Sequence, residues 1–172
     1  MEYKDVLLHQ LQFAHRTLEQ VIEGCDDILH ERTAGSTVNT IAACYGHIVL
    51  SEDAILNGMI MHETPLFIAG AWSARTGLPE AGDASLGGEW PAASLGMNLP
   101  AFREYAAAVY ARTEQVVGAM TEEKAQELID TPFGSKQPRL EFLGTLGVAH
   151  AWGHLGEIAA MKGMKGLKGL PF

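Results

Sequence analysis

Apolar side chains recur every three or four positions along four stretches of the chain, which is the spacing of one buried helix face. The first predicted helix runs from Lys4 to about Glu31, and the second from about Val38 to Met61. The third begins at a cap on Asn98 and continues to Met120, and the last runs from about Arg139 to Lys162. Since no segment alternates between polar and apolar residues as a strand does, the pattern predicts an all-α protein without strands.

The segment between the second and third predicted helices, residues 62–98, interrupts this pattern with three prolines, many glycines and two tryptophans. A connection of this length is uncommon in a compact domain. Because a fully solvated linker would not normally carry two tryptophans, we expect part of the loop to pack on the helices and to contain short helical turns. Phe67, Trp72 and Trp90 either anchor the loop or form an apolar wall over the open end of the bundle, and anchoring is the commoner arrangement.

Four long helices with one long connection predict a four-helix bundle with a long loop between helices 2 and 3. The 172 residues fit one domain, residues 1–172, in which residues 163–172 form a tail. We expect the first two helices to be antiparallel, since the connection between them is short.

The charge and the hydrophobicity of the chain limit its partners. Asp and Glu number 21 against 12 Lys and Arg, a net charge of −9, which is unfavourable for binding nucleic acid or an anionic membrane. The sequence has no secretory signal pattern, no apolar run of the ~18 residues that a membrane span needs, and only two cysteines. We therefore expect a cytoplasmic protein that acts on a small molecule.

His150 and His154, in the last predicted helix, are the clearest candidates for chemistry. Residues four apart lie on one face of a helix, so both imidazoles can face one ion, and neutral imidazole binds zinc, nickel, copper or iron. The zincin motif would need Glu at the position of Ala151, so that class is excluded. Two histidines need a third ligand, and without one they are equally well explained as solvated polar residues.

His47 is the best candidate for the third ligand because it lies among apolar residues of the second predicted helix. A buried histidine is costly unless it is hydrogen bonded or bound to an ion, and a bond to a backbone carbonyl is the more ordinary explanation. The remaining histidines have no partner at ligand spacing and are expected on the surface: His9, His15, His30 and His62.

Glu157 falls on the same face of the last predicted helix as His150 and His154. It could act as a general base, as a hydrogen-bond partner of a ligand histidine, or as a fourth ligand. A solvated glutamate paired with Lys162 or Arg16 is the ordinary alternative.

Three further residues near His47 have ordinary explanations. Cys44 could line a cavity as a thiol, although a small buried cysteine is commoner. Glu52 and Asp53 are turned away from the His47 side of the helix, which favours pairings elsewhere.

His47, followed late in the chain by His150, His154 and the run Gly156-Glu157-Ile158, resembles the DinB-like (DinB/YfiT) superfamily, as does the turn Thr131-Pro132-Phe133-Gly134. The resemblance implies a four-helix bundle in which His47, His150 and His154 hold a divalent metal ion. Zinc or nickel are the first candidates for this ion, and iron or manganese are further options. Water or substrate would take the open coordination positions.

The resemblance also implies a class of function. Its members are described as metal-dependent hydrolases, and some are thiol-dependent transferases or isomerases that use glutathione, mycothiol or bacillithiol. We therefore expect a divalent-metal-dependent hydrolase or thiol transferase, with Glu157 as the catalytic candidate, a small-molecule substrate and a homodimeric assembly. The alternative is a non-catalytic metal-binding or stress-associated helical bundle.

Overall fold

A computed structural model describes residues 2–32, 37–79 and 96–172 of the chain. Their helices and strands, in chain order, are α1 (Tyr3–Ile22), α2 (Ile41–Asp53), a π-helical segment π1 (Ala54–Ile60), α3 (Leu66–Ala69), α4 (Trp72–Thr76), α5 (Leu99–Gly118), α6 (Glu122–Gln126), β1 (Leu128–Asp130), β2 (Lys136–Pro138), α7 (Arg139–Gly144), a second π-helical segment π2 (Thr145–His150) and α8 (Ala151–Met164).

Four long helical segments form the bundle, as the apolar spacing predicts. They are α1, α2 with π1, α5, and a last helix in which α7, π2 and α8 follow one another without a break. α1 packs against α5 and the last helix, and α2 packs against α8. The apolar face of each segment is buried, with Leu11, Leu18, Ile48, Phe102 and Leu155 fully enclosed. The all-α prediction is confirmed.

The first helix ends earlier than predicted, at Ile22 instead of Glu31. Gly24 has a φ of +70°, in the left-handed region that glycine adopts without a steric penalty. The apolar spacing continues past this point because Cys25 and Leu29 remain buried in turns that follow the helix. Periodicity alone therefore overestimates the length of the helix.

The second helix begins at Ile41, three residues later than predicted. The side chain of Thr40 accepts a hydrogen bond from the backbone N–H of Ala43 at 3.1 Å and so caps the first turn. The third helix is capped by Asn98 as predicted, through a bond from the N–H of Ala101 at 3.3 Å.

The expectation that the chain has no strands is wrong at one place. β1 and β2 form an antiparallel pair in which Leu128 lies opposite Pro138 and Asp130 opposite Lys136. The turn between them includes Gly134, whose φ is +77°. Strands of three residues are too short to show an alternating pattern, so they could not be predicted from periodicity.

The described part of the long connection contains the short helices α3 and α4, as expected. The ring of Phe67 lies 5.2 Å from that of Tyr105, and the ring of Trp72 lies 5.6 Å from it. Both side chains therefore anchor the loop to α5. Trp90, the third aromatic residue of the prediction, lies outside the described residues.

Candidate metal centre

Two helices bring together the three histidines that the sequence singles out. His47 lies in α2, His150 is the last residue of π2, and His154 lies in the first turn of α8. One ligand atom from each residue lies within 4.8 Å of those from the other two. The three ring centroids are 4.7 to 4.9 Å apart, and the ring planes are inclined at 74° to 86° to one another. The rings thus converge edge to face around one point.

His150 is the last residue of the π-helical segment π2. A π-helix bonds residue i to i+5, so it holds more residues per turn than an α-helix, and such segments are frequent at functional sites. Gly147, inside π2, faces the side chain of Leu11 so closely that a Cβ atom at 147 would clash with it. The glycine lets this segment lie directly against α1.

The nitrogen atoms fit a shared ion. Nε2 of His47 and Nε2 of His150 are 3.0 Å apart. Two nitrogens bound to one tetrahedral ion at ~2.1 Å are roughly 3.4 Å apart, so a small adjustment converts this contact into a ligand pair.

Polar side chains hold two of the imidazole rings in place. Nδ1 of His47 is 3.3 Å from Oγ of Ser51, and Nδ1 of His154 is 2.8 Å from Oε2 of Glu157. When the Nδ1–H of His154 donates to the carboxylate, Nε2 keeps its lone pair for an ion. Such partners on the second ring nitrogen are the usual accompaniment of histidine ligands.

The electrostatic environment keeps His150 neutral. The pKa of His150 is lowered to about 4, chiefly by burial and next by the charges of His154 and His47, with Glu52 and Glu157 opposing the shift. Only a neutral imidazole can bind a metal ion. At neutral pH this residue is therefore already in its ligand form.

Glu157 also contacts Cys44, which lies one turn before His47. The thiol of Cys44 donates to Oε2 of Glu157 at 3.5 Å. Burial raises the pKa of Cys44 to about 12, helped by the negative charge of Glu157, so the thiol is protonated at neutral pH. Cys44, His154 and Glu157 form a second group of ligand atoms within 4.8 Å, which overlaps the first at His154.

Lys162, the ordinary partner considered for Glu157, makes its hydrogen bonds elsewhere. Lys162 donates instead to the carbonyl oxygens of Val21 at 2.6 Å and Glu23 at 3.1 Å. Glu157 keeps about half of its side chain exposed (51%), and His154 keeps 25%, so the histidine cluster opens to solvent on this side.

His15 does not lie where its sequence context predicts, and its two partners were not predicted. His15 was expected on the surface, but it is 4% exposed and lies between Glu52 and Glu114. It lies one turn from the buried Leu11 and from the buried Leu18, and this spacing could have indicated its burial. Its partners come from α2 and α5, so the local sequence does not reveal them.

Glu52 and Asp53 point away from His47 as expected, but both are buried. Asp53 accepts hydrogen bonds from the Tyr105 hydroxyl at 2.8 Å and from the backbone N–H groups of Leu66 and Phe67 at 2.9 and 2.8 Å. Asp53 therefore fixes the start of α3 against α5.

The fold and the histidine cluster together define a class of all-α bundle with a candidate three-histidine metal centre. The family model described as the DinB superfamily matches residues 10–158, a range that includes His47, His150, His154 and Glu157. The chain therefore belongs to the DinB superfamily.

Comparison with curated proteins finds no match to this chain. Among solved structures, the chain is similar to the crystal structure of the conserved protein of locus from Enterococcus faecalis. The two are 17% identical with a TM-score of 0.79, over 94% of this chain and 96% of the other. At this identity the likeness shows the fold. Among the described residues, the helices are too short or too polar to cross a membrane.

Proposed function

We propose that this chain binds a divalent metal ion through His47, His150 and His154 and uses it as an enzyme to activate water or a thiol. The observation that carries the proposal is the convergence of the three rings, with one ligand atom from each within 4.8 Å of the others. Zinc or nickel are the first candidates for the ion, followed by iron or manganese, since three imidazoles suit borderline ions.

An ion held by three neutral imidazoles would keep open coordination positions and act as a Lewis acid, which would lower the pKa of a coordinated water toward ~7 or stabilise a bound thiolate. Ser51 and Glu157 orient the rings of His47 and His154. Glu157 is the candidate proton acceptor, because its half-exposed carboxylate stands at the open side of the cluster. The reaction is either hydrolysis or transfer of a thiol to an electrophile.

The site suits a small-molecule substrate, because the partly exposed side chains of His154 and Glu157 are accessible from solvent. The net charge of −9 is unfavourable for a nucleic-acid partner. The cytoplasmic location and the homodimer stay predictions.

Turnover assays on the full chain test this function. The chain is loaded separately with zinc and with nickel, and is assayed with ester and amide substrates and with glutathione plus electrophiles. We expect turnover that needs the ion and that is lost in the His47→Ala, His150→Ala, His154→Ala triple variant. His9→Ala, which removes an exposed histidine elsewhere, is the matched control and should keep the activity. Stoichiometric ion binding without turnover in any of these assays would favour the non-catalytic metal-binding alternative.

A further inference from the structure

A groove of about 570 Å³ lies between the last turns of π1 and α5 on one side and the segment from α6 to the start of α7 on the other. Its volume is in the range of sites that hold small molecules. His47, His150, His154 and Glu157 do not line it. The groove is therefore a place separate from the candidate metal centre.

The floor of this groove, formed by Ile60, Met61, Val116 and Met120, is apolar. Ile60, Val116 and Met120 are buried members of one core cluster, and Met61 packs against the same cluster. Methionine side chains are unbranched and polarisable, so they adapt to apolar groups of different shapes. The floor therefore suits the hydrocarbon part of a ligand.

Basic side chains stand beside this apolar floor. Of the 12 Lys and Arg residues of the chain, Arg112, Lys124 and Arg139 line the groove. Among the lining residues that the structure describes, Glu127 is the one carboxylate, and Lys124 and Arg139 both donate to its Oε2, at 3.1 and 2.7 Å. The groove thus has an excess of positive charge in a chain whose net charge is −9, and this favours an anion.

Arg112 keeps donor groups for such an anion. Its guanidinium donates to Oδ1 of Asn57 at 3.3 Å and to Oε1 of Gln115 at 3.5 Å. A third bond, at 2.7 Å, goes to Oε2 of Glu63, whose side chain is half exposed (52%). Since a guanidinium has five N–H groups, two are left without a partner in the part of the chain that the structure describes. A guanidinium held in this way matches the two oxygens of a carboxylate.

We propose that this groove binds a small amphipathic carboxylate, with the carboxylate on Arg112 and Lys124 and the apolar chain on the floor. Arg139 is already held by the carbonyl of Ile60 at 3.0 Å and by Glu127, so it contributes positive charge and shape. A neutral apolar molecule would use only the floor, and a small hydrophilic anion would use only the basic side chains. The inference does not rest on the proposed metal binding.

Calorimetric titration of the full chain with octanoate tests the inference. We expect saturable binding of octanoate, and binding of octanol, which has the same chain length without the charge, that is weaker by about 10-fold or more. Acetate, which has the charge without the chain, should bind at least as weakly as octanol. Octanol binding as tightly as octanoate, or no saturable octanoate binding at millimolar concentrations, would overturn the inference.

Two variants change the charge of the groove in opposite directions. Arg112→Gln should weaken octanoate binding about 10-fold, because it removes the guanidinium that receives the carboxylate. Glu127→Gln should tighten binding about 3-fold, the size of one exposed ion pair, because it removes a competing carboxylate and releases Lys124. Lys136→Gln, which removes an exposed lysine paired with Asp130 on the hairpin, is the control and should bind as the wild type does.

Ala119→Glu decides the question if Arg112→Gln does not fold. Ala119 lines the groove and is exposed, so a glutamate there leaves the core intact and places a negative charge beside the proposed site. We expect octanoate binding to be lost in this variant and kept in Ala74→Glu, which adds the same charge on the exposed side of α4. Equal affinities for the wild type, Arg112→Gln and Ala119→Glu would contradict the proposed site.

The His47→Ala, His150→Ala, His154→Ala variant separates this groove from the candidate metal centre. A carboxylate can also bind a metal ion, so octanoate binding that required the histidines would place the ligand at the wrong site. We expect this variant to bind octanoate as the wild type does, whether or not the wild type holds an ion. Loss of octanoate binding in it would overturn the inference and leave the proposed metal binding standing.

Discussion

Nε2 of His47 and Nε2 of His150 lie 3.0 Å apart, although 103 positions separate the two residues in the sequence. The contact exists because α2 packs against the last helix, in the part where π2 passes into α8. The ring of His154 completes the cluster, at 4.8 Å from His47 and 4.7 Å from His150.

Ser51→Ala removes the hydroxyl that lies 3.3 Å from Nδ1 of His47. We expect about a 10-fold loss of zinc affinity, because the ring loses the contact that helps to fix its orientation and its tautomer. The measurement is a zinc competition titration. Ser73→Ala, which removes a hydroxyl bound to the carbonyl of Leu78 in another part of the chain, is the control. Equal affinities for the two variants would contradict the role of Ser51.

Glu157 has two separable roles, as an orienting partner of His154 and as a proton acceptor. Glu157→Gln keeps an amide oxygen that can accept the Nδ1–H of His154, so we expect it to retain most of the zinc affinity while losing turnover. Glu157→Ala removes both functions and should weaken zinc binding about 10-fold or more.

Glu141→Gln, on the exposed side of α7, is the control for the charge change at Glu157. Zinc affinity from titration and turnover from the assays above are compared in all three variants. If Glu157→Gln keeps full turnover, the carboxylate is not the proton acceptor, and its role is limited to orienting His154.

Asp53→Ala tests the polar core that supports the cluster. The carboxylate accepts bonds from the Tyr105 hydroxyl, the Asn57 amide and the backbone N–H groups of Leu66 and Phe67. Leaving these donors unpaired in the core should lower the free energy of unfolding by about 3–5 kcal/mol. Urea denaturation measures the change.

Asp130→Ala, on the exposed edge of β1, is the matched control, since its pairing with Lys136 is open to solvent. We expect no measurable change in stability for this variant. Similar unfolding free energies for Asp53→Ala and the wild type would show that the bonds of Asp53 to α3 and α5 contribute little.

His15 makes the stability of the metal-free chain depend on pH. Its pKa is raised in the folded state, mainly because the two carboxylates outweigh the effect of burial. A raised pKa stabilises the fold fully below the unfolded value of ~6.5, and this stabilisation is lost as the pH rises through the folded pKa. We expect the wild type to be more stable than His15→Gln by a larger margin at pH 6 than at pH 9. Urea denaturation in the presence of a chelator measures this margin, and a margin that is independent of pH would contradict the account.

The periodicity of apolar residues was sufficient to predict the four long helices, because their buried faces repeat over many turns. It failed at helix ends, where Gly24 and the Thr40 cap decide the boundary through backbone geometry and one hydrogen bond. The π-helical segments also went unpredicted. They depend on how neighbouring helices pack, and the local sequence does not indicate that packing.

The candidate site could be predicted in part because its ligands carry a local signal. His150 and His154 are one turn apart, and His47 is a lone histidine in an apolar helix. The contact between Glu157 and His154 is one of the arrangements that the sequence left open. The pairing of His15 with Glu52 joins residues 37 positions apart, and it depends on tertiary packing, in which α1 and α2 both pack against α5.

Metal content of the purified chain is the most direct test of the central claim that His47, His150 and His154 bind an ion. The full chain is purified without a metal-affinity tag, dialysed against zinc, nickel and manganese, and analysed by ICP-MS beside the triple alanine variant and His9→Ala. The account predicts close to one ion per chain in the wild type and in His9→Ala, and none in the triple variant. Equal metal content in the wild type and the triple variant, or no metal in either, would contradict it.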